Sequence, residues 1–368
     1  MKPILCSIWI AAVVFTMAIG IAAESATAET LKSLIAGAKN EKHLKLTLHF
    51  IKQEHVQKLE TAFNNRYGLD IKLEANLSGK YSSKAKKGVE QYRQGAKPSF
   101  DVMVLNESAF ATLANADALA RIEDWKNLLP EGADSSVSPG PIAGVGFKSF
   151  DFYFGYSYRS DQLAASMLPL STKDLANASL KGKAAVSKYT TNLTYAVMKY
   201  SPEELLNIAE TWRQNGVKRF HPRKMPEQVV LGKFVVGGFH TTAQYLGAGQ
   251  EGGGNFKMGL FSDIVPHAVL LHAVRKGAVS PNAAKLFVLW MTGKEALSIC
   301  GEGTYLGNTL NNGNQKAIAI AEQLMKKGNV KPTSFFDSKE NYQKLVWLGT
   351  AEGQNFTKRF GAAIKGKK

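Results

Sequence analysis

Leu44-Lys45-Leu46-Thr47-Leu48-His49-Phe50 alternates apolar with polar residues, and residues 54–67 follow at once with Val56, Leu59, Phe63 and Tyr67 at helical spacing. The first segment reads as a strand and the second as a helix. Side chains switch faces at every residue of a strand but return to one face every three to four residues of a helix. The same pair recurs: 70–75 as a strand and 82–94 as a helix, then 100–105 as a strand and about 108–118 as a helix. The run Phe100-Asp101-Val102-Met103-Val104-Leu105 is nearly continuous in apolar residues, as expected of a strand covered on both faces. Strands and helices alternating at this spacing predict βαβ units and a mostly parallel, doubly wound sheet with helices on both faces.

A second round of the pattern follows an aromatic stretch, 147–158, that holds Phe150, Phe152, Tyr153, Phe154, Tyr156 and Tyr158. A strand is expected over 183–187, running through Tyr189-Thr190-Thr191-Asn192 into a helix over about 193–200. Ser201-Pro202-Glu203-Glu204 is a helix start, with Ser at the cap, Pro first in the helix and Glu placed to reach back to the cap amide. Leu205, Ile208, Ala209 and Trp212 form that helix's buried face. Ser280-Pro281-Asn282 opens another helix, with Ala284, Phe287, Val288 and Met291 inward, and Gly301 is a plausible stop after a short following helix. Residues 249–254 read as a glycine-rich loop. The end, Lys365-Gly366-Lys367-Lys368, reads as a basic tail after one or two helices.

The compartment is read from the first residues. Lys2 precedes an uncharged, mostly apolar run from Pro3 to Ala23, and Ala26 and Ala28 then form an A-x-A cleavage pattern. This order predicts a secretory signal peptide over 1–28 and an exported, periplasmic mature chain without a membrane anchor. The peptide carries one Lys and one Glu, so its removal leaves the net charge at +16. Such a balance suits a basic surface or an acidic solute. The lysines are spread along the chain rather than gathered into a stripe with interleaved aromatics, and no nucleic-acid partner is expected. Of the two cysteines only Cys300 remains after cleavage, so neither an intramolecular disulfide nor a cysteine metal site can form. A chain of this length held by apolar burial alone is expected to fold as two domains.

The spacings that mark common enzymes, HExxH, CxxC, GxSxG and the Walker loop, are absent from the sequence. Gly252-Gly253-Gly254 lacks the strand before and the helix after that a phosphate-cradling loop requires. The seven histidines, at 43, 49, 55, 221, 240, 267 and 272, show no ligand-like spacing.

Segments 44–50, 100–106, 230–238 and 277–288 resemble the extracellular solute-binding proteins of ABC importers, in the branch with ferric-iron, thiamine, polyamine and phosphonate receptors. The most specific piece is Lys276-Gly277-Ala278 stepping into Pro281-Asn282-Ala283-Ala284-Lys285 and an apolar helix to Trp290. Leu231-Gly232-Lys233-Phe234 with Gly237-Gly238 is similar to the family's stretch before a ligand-facing turn. The resemblance implies an α/β, two-lobe, type II periplasmic binding fold. Lobe one would cover 29–152 with a return segment over 266–368, and lobe two would cover 153–265. It also implies a monomer without cofactor or catalytic residues that takes a small solute between the lobes and delivers it to a membrane permease.

In open α/β sheets ligands sit beyond the carboxyl ends of the strands, where helix N-termini point their amides. This nominates Lys52 and Gln53, then Ser78, Gly79 and Lys80, then Asn106 (with its neighbour Glu107) from lobe one. Lobe two offers Tyr189, Thr190 and Thr191, then His240, Thr241 and Thr242, and the family resemblance places Tyr156 at the crossing between lobes. Each has a structural alternative: Ser78, Thr190 and Thr191 as helix caps, Tyr156 and Tyr189 as lobe packing, Lys52 and Lys80 as solvated lysines, Glu107 as a favourable charge at a helix start. Ferric-binding members have adjacent tyrosines where this chain has Thr241-Thr242, with His240, Tyr245 and Tyr305 as possible substitutes. A polar or anionic organic solute is therefore expected ahead of iron or another metal complex. The alternatives from other classes are a cleft hydrolase or lyase using Glu107 or His240, and a sensory ligand-binding module.

Overall fold

The structure is a computed structural model that describes residues 30–366 apart from Gly79 and Gly253, and the backbone alone at 250–252. The expected signal segment 1–28, Gly79, the centre of Gly252-Gly253-Gly254 and the last two lysines of the basic tail lie outside the described residues. After α1 (Leu31–Ala38) the chain runs β1 (His43–Thr47), α2 (Gln53–Tyr67), β2 (Lys72–Asn76), α3 (Tyr81–Arg93), β3 (Val102–Asn106) and α4 (Glu107–Asn115). The periodicity is realised in the packing. Leu44 and Leu46 of β1 are buried while His43 and Lys45 are exposed, and Val56, Leu59 and Phe63 of α2 are buried with them. Helix α2 ends at Gly68, whose φ of +62° is the left-handed conformation that costs a residue with a Cβ.

β4 (Phe147–Arg159) is the aromatic stretch, and it is a long strand shared by both halves of the molecule. The second half contains β5 (Ala184–Ser187), α5 (Thr190–Leu193), α6 (Pro202–Gln214), β6 (Lys218–Phe220), α7 (Met225–Val230), β7 (Val236–Thr241), α8 (Thr242–Gly252) and β8 (Phe256–Gly259). The chain returns through β9 (Val265–Val274), α9 (Pro281–Trp290), α10 (Lys294–Gly301), α11 (Lys316–Gly328), β10 (Pro332–Thr333), α12 (Lys339–Gly349) and α13 (Ala351–Lys365). Strands β2, β1 and β3 are parallel, with β9 antiparallel on β3 and β4 antiparallel on β9. The other half repeats the plan: β6, β5 and β7 are parallel, with β4 antiparallel on β7 and β8 on β4. Residues 147–153 of β4 pair with β9 and residues 154–159 with β7 and β8, so one strand crosses from sheet to sheet.

Between the two halves, β4 and β9 carry a polar knot. His267 bonds the Asp151 carboxylate at 2.6 Å and stacks on Tyr153 with ring centroids 4.7 Å apart, while Thr309 donates to the other carboxylate oxygen through its amide at 2.7 Å. Burial works to raise the Asp151 pKa. The bond and charge of His267, the Thr309 amide and the charge of Lys148 together outweigh it and hold the carboxyl below its usual range.

Local chemistry explains the helix starts and two departures from the expected elements. Ser201 and Glu204 form the expected reciprocal cap on α6, Ser201 accepting from the Glu204 amide at 3.2 Å and Glu204 from the Ser201 amide at 2.8 Å. Ser280 does not cap α9 with its side chain. Its amide neighbours are served by Asp101, and Glu41 accepts from the Asn282 and Ala283 amides at 3.1 and 2.8 Å. The helix expected over 193–200 is a single α-turn, α5, followed by a 3-10 helix over Thr194–Met198. Threonine, asparagine, tyrosine and valine fill this segment, and they lose more side-chain freedom in an α-helix, or bond the backbone elsewhere, than the residues of α6 do. Residues 249–252, expected as loop, prolong α8. The return segment does not stay with one half: Phe335, Leu345, Phe356, Phe360 and Ile364 share a buried cluster with Trp212 and Phe239 of the second half.

Candidate functional site

His49 and Phe50, which follow the carboxyl end of β1, lie where residues of the first half face Arg223 of the second. Phe50 has a φ of +68°, a conformation that is strained for a residue with a side chain. Its ring lies 5.8 Å from that of Phe152 on the crossing strand, and the Arg223 guanidinium of the second half sits 4.8 Å from its centroid. The two halves therefore touch across this opening through a cation over an aromatic face.

Beside Phe50, the His49 ring packs edge-on against Tyr81, the first residue of α3, with centroids 4.3 Å apart. His49 Nε2 and the Tyr81 hydroxyl are both buried without a hydrogen-bond partner. A buried polar atom left unpaired costs about 1–3 kcal/mol, so such atoms are rare and point to a missing partner. Burial, then Lys84, then Arg223 lower the His49 pKa to about 4, so its imidazole is neutral at pH 7. Burial pushes the Tyr81 phenol above its ordinary value against the pull of Arg223, with Glu107 adding to the rise. Lys84 donates to Asn76 at 3.1 Å, and burial lowers its pKa.

The second half adds more basic groups. Tyr189 Oη and His221 Nε2 are hydrogen-bonded at 2.9 Å, and the Lys188 ammonium is 5.5 Å from the Tyr189 ring. Burial, Lys188, Arg223 and Lys224 all push the His221 pKa down. Beneath the opening, the buried Glu107 carboxylate accepts from the Val269 amide at 2.8 Å and from the Tyr195 hydroxyl at 2.5 Å. Burial raises the Glu107 pKa to about 7 against both bonds.

Of the residues nominated from sequence, Tyr189 stands on this rim. Lys80 is exposed immediately before Tyr81, without a side-chain bond to the helix end. Lys52 and Gln53 are exposed at the start of α2, Lys52 lying 3.6 Å from Glu54. Ser78 is tied into a turn by Asn76, and Asn106 caps α4 by accepting from the Ala109 amide. Thr190 accepts from Arg219 at 3.3 Å and packs towards Gly361 of α13, while the Thr191 carbonyl accepts from Thr194. Tyr156 is a correction: it is buried in the second half against Phe261 and Gly259, because it lies on the strand beyond the crossing point. His240 is wholly buried, its Nδ1 near the Thr241 carbonyl, its Nε2 unpaired and its pKa lowered to about 4 chiefly by burial. Thr241 and Gln244 cap α8 reciprocally, and Thr242 is buried.

Sequence reasoning passed over His49, Phe50, Tyr81, Lys84, Tyr195, His221 and Arg223. His49 and Phe50 had a signal, since they lie at the end of the alternating run. Arg223 and His221 follow a three-residue strand too short to announce itself. A surface groove lined by Lys86, Glu90, Arg93, Thr112 and Gln354 lies on the helices of the first half and contains none of the unpaired groups.

Comparison with family models finds no match, and comparison with curated proteins finds none. Solved structures match over most of the chain. A ferric binding protein from Campylobacter jejuni is similar at a TM-score of 0.65 and 15% identity, over 87% of this chain and 99% of that one. The substrate binding protein of an ABC transporter from Agrobacterium tumefaciens gives 0.64 and 11%, over 89% and 97%. The periplasmic binding protein AfuA from Actinobacillus pleuropneumoniae, with fructose-6-phosphate bound, gives 0.62 and 14%, over 88% and 99%.

Proposed function

The chain has the two-lobe α/β fold of type II periplasmic binding proteins, and we propose from it that the protein is an extracytoplasmic receptor for a small anionic organic solute. Closure on the ligand would give the form that a membrane permease recognises, and the ligand would leave unchanged, so no catalysis is assigned. Lobe one would hold the residues up to 152 and lobe two 153–265, with the return segment divided between them. The observation that carries the reading is the pair of partnerless buried atoms, His49 Nε2 and the Tyr81 hydroxyl, beside Lys84 and facing Arg223 across the opening. A neutral imidazole and a protonated phenol can each donate a hydrogen bond to an acceptor, and the two cations supply the charge. Tyr189 and His221 extend the same rim.

The charge balance argues against a bare metal cation or a polyamine. Lys84 and Arg223 act on His49 here, and a bound cation would meet their positive charge. Among the described residues no cluster of three or more histidine, cysteine, aspartate or glutamate residues is placed to hold a metal ion. The described residues also contain no helix long and apolar enough to cross a membrane. Export rests on the signal-like segment at 1–28.

The test is a thermal-shift series with sulfate, sugar sulfates, sugar phosphates, ferric ion and spermidine. A ligand held only by the folded state raises the melting temperature. The anions are expected to raise it, and Arg223→Ala is expected to remove the rise. A rise with spermidine or ferric ion alone would refute the anionic reading.

A further inference from the structure

We infer that Glu107 couples ligand capture to a proton, so that binding an anion in this opening takes up one proton at the buried carboxyl. The inference rests on the anionic reading above and deepens it.

Glu107 is the buried acid beneath a basic rim, and it joins three parts of the molecule. It is the first residue of α4 in lobe one, it accepts from Val269 on the return strand β9, and it accepts from Tyr195 of lobe two. Among the described residues the donors to its carboxylate are the Tyr195 hydroxyl, the Val269 amide and its own amide, all neutral. The groups that face it are Tyr195 from the 3-10 helix, Tyr81 from α3, and His267 from β9. Its charge reaches Tyr81, whose unpaired hydroxyl is one of the two groups offered to the ligand. An anion bound there brings a second negative charge close to the first in a buried setting, where like charges are poorly screened. The carboxyl is the group that can yield, because burial already holds it near neutrality, with a pKa of about 7. Proton uptake leaves the Val269 bond intact. It reverses the other bond, so that Glu107 donates to the Tyr195 oxygen.

His49 also titrates at this site, and an anion would favour its protonation. Its imidazole starts from about 4, so its contribution belongs to the acid side. His221 on the rim would likewise favour its protonated form beside an anion, so the alkaline fall is assigned to Glu107 by its loss in Glu107→Gln with His221 intact.

The experiment is calorimetric titration of the full mature chain with sulfate and with glucose 6-sulfate, whose charges stay constant between about pH 5.5 and 8.5, in two buffers of different ionisation heat. The expected result is uptake of up to one proton per site near neutrality, with affinity falling at most about tenfold per pH unit above about 7. Glu107→Gln, which keeps both bonding partners, is expected to abolish the alkaline fall and to hold the affinity at its acid-side limit. Tyr195→Phe removes a donor that favours the ionised carboxyl, so its midpoint is expected to move to higher pH. Binding with no proton uptake, or an unchanged alkaline fall in Glu107→Gln, overturns the inference and leaves the anionic reading standing. Failure of both sulfates to bind while spermidine binds overturns the reading and the inference together.

Discussion

Two histidines, the partly exposed His267 in the knot between β4 and β9 and the buried His49 at the rim, sit in opposite circumstances. His267 bonds Asp151, stacks on Tyr153, and belongs to a knot in which Thr309 occupies the remaining carboxylate oxygen. His49 packs as closely on Tyr81, yet its Nε2 and the Tyr81 hydroxyl have no partner, and the nearest charges are two cations. The more deeply buried of the two is the one left unsatisfied. A polar group whose bonds are all made inside the protein fixes geometry; one left unmade beside matching charge is a place for something else.

The comparison predicts where substitutions act on stability and where on binding. Asp151→Ala leaves His267 and Thr309 without their acceptor, and breaking a buried pair of this kind costs about 3–5 kcal/mol. It should lower the denaturant midpoint sharply. A midpoint within error of the parent would show that the knot is not structural. Removing the rim cation by Arg223→Ala should weaken binding of a sugar sulfate by roughly 10- to 100-fold, the scale of one charged hydrogen bond. The midpoint should stay unchanged, and a stability loss without a binding loss would reverse the assignment.

The acid limb sharpens the same contrast. His49 and His240 titrate at about 4 and His272 at about 3, all below the ordinary histidine value. Burial is the first cause for each, and His272 has neither nitrogen paired. Because the unfolded chain takes up these protons first, their contribution is fully present above about pH 6.5 and is lost as pH falls towards 4. His272→Leu should remove about 3 kcal/mol of that loss, read from urea midpoints at pH 6.5 and 4. A curve parallel to the parent's would mean that His272 gains a partner on protonation. The smallest effect is local: Ser201→Ala should cost about 1 kcal/mol from the α6 cap and leave binding unchanged.

The βαβ order and the α6 cap were legible because each follows from neighbours in sequence; the aromatic stretch 147–158 stood out by composition, and that it is one strand shared by both halves is a finding of the structure. Alternation in 44–48 puts Leu44 and Leu46 on one face of the strand whatever the rest of the chain does. The site was legible only in part. Of the residues the strand-end rule selected, Tyr189 bonds His221, Lys52 is exposed beside Glu54, Ser78 is tied to Asn76 and Asn106 caps α4. Hydroxyls and amides at helix starts have a nearby backbone amide to serve, and that local bond usually takes them. Tyr156 was misplaced because a strand pattern does not tell where along its length a strand passes from one lobe to the other.

By itself the sequence determined the alternation of strands and helices in the first half, the start of α6 and the basic balance of the chain, since periodicity, capping and net charge are local or additive properties. The tertiary structure alone decided which groups would be left unpaired. Whether His49 finds a partner depends on Tyr81 and Lys84 of α3 and on Arg223 after β6 arriving from two separate elements, and the Glu107 pKa is set by burial working against the bonds from Val269 and Tyr195. Burial and satisfaction are properties of the packed whole, and no window of residues contains them.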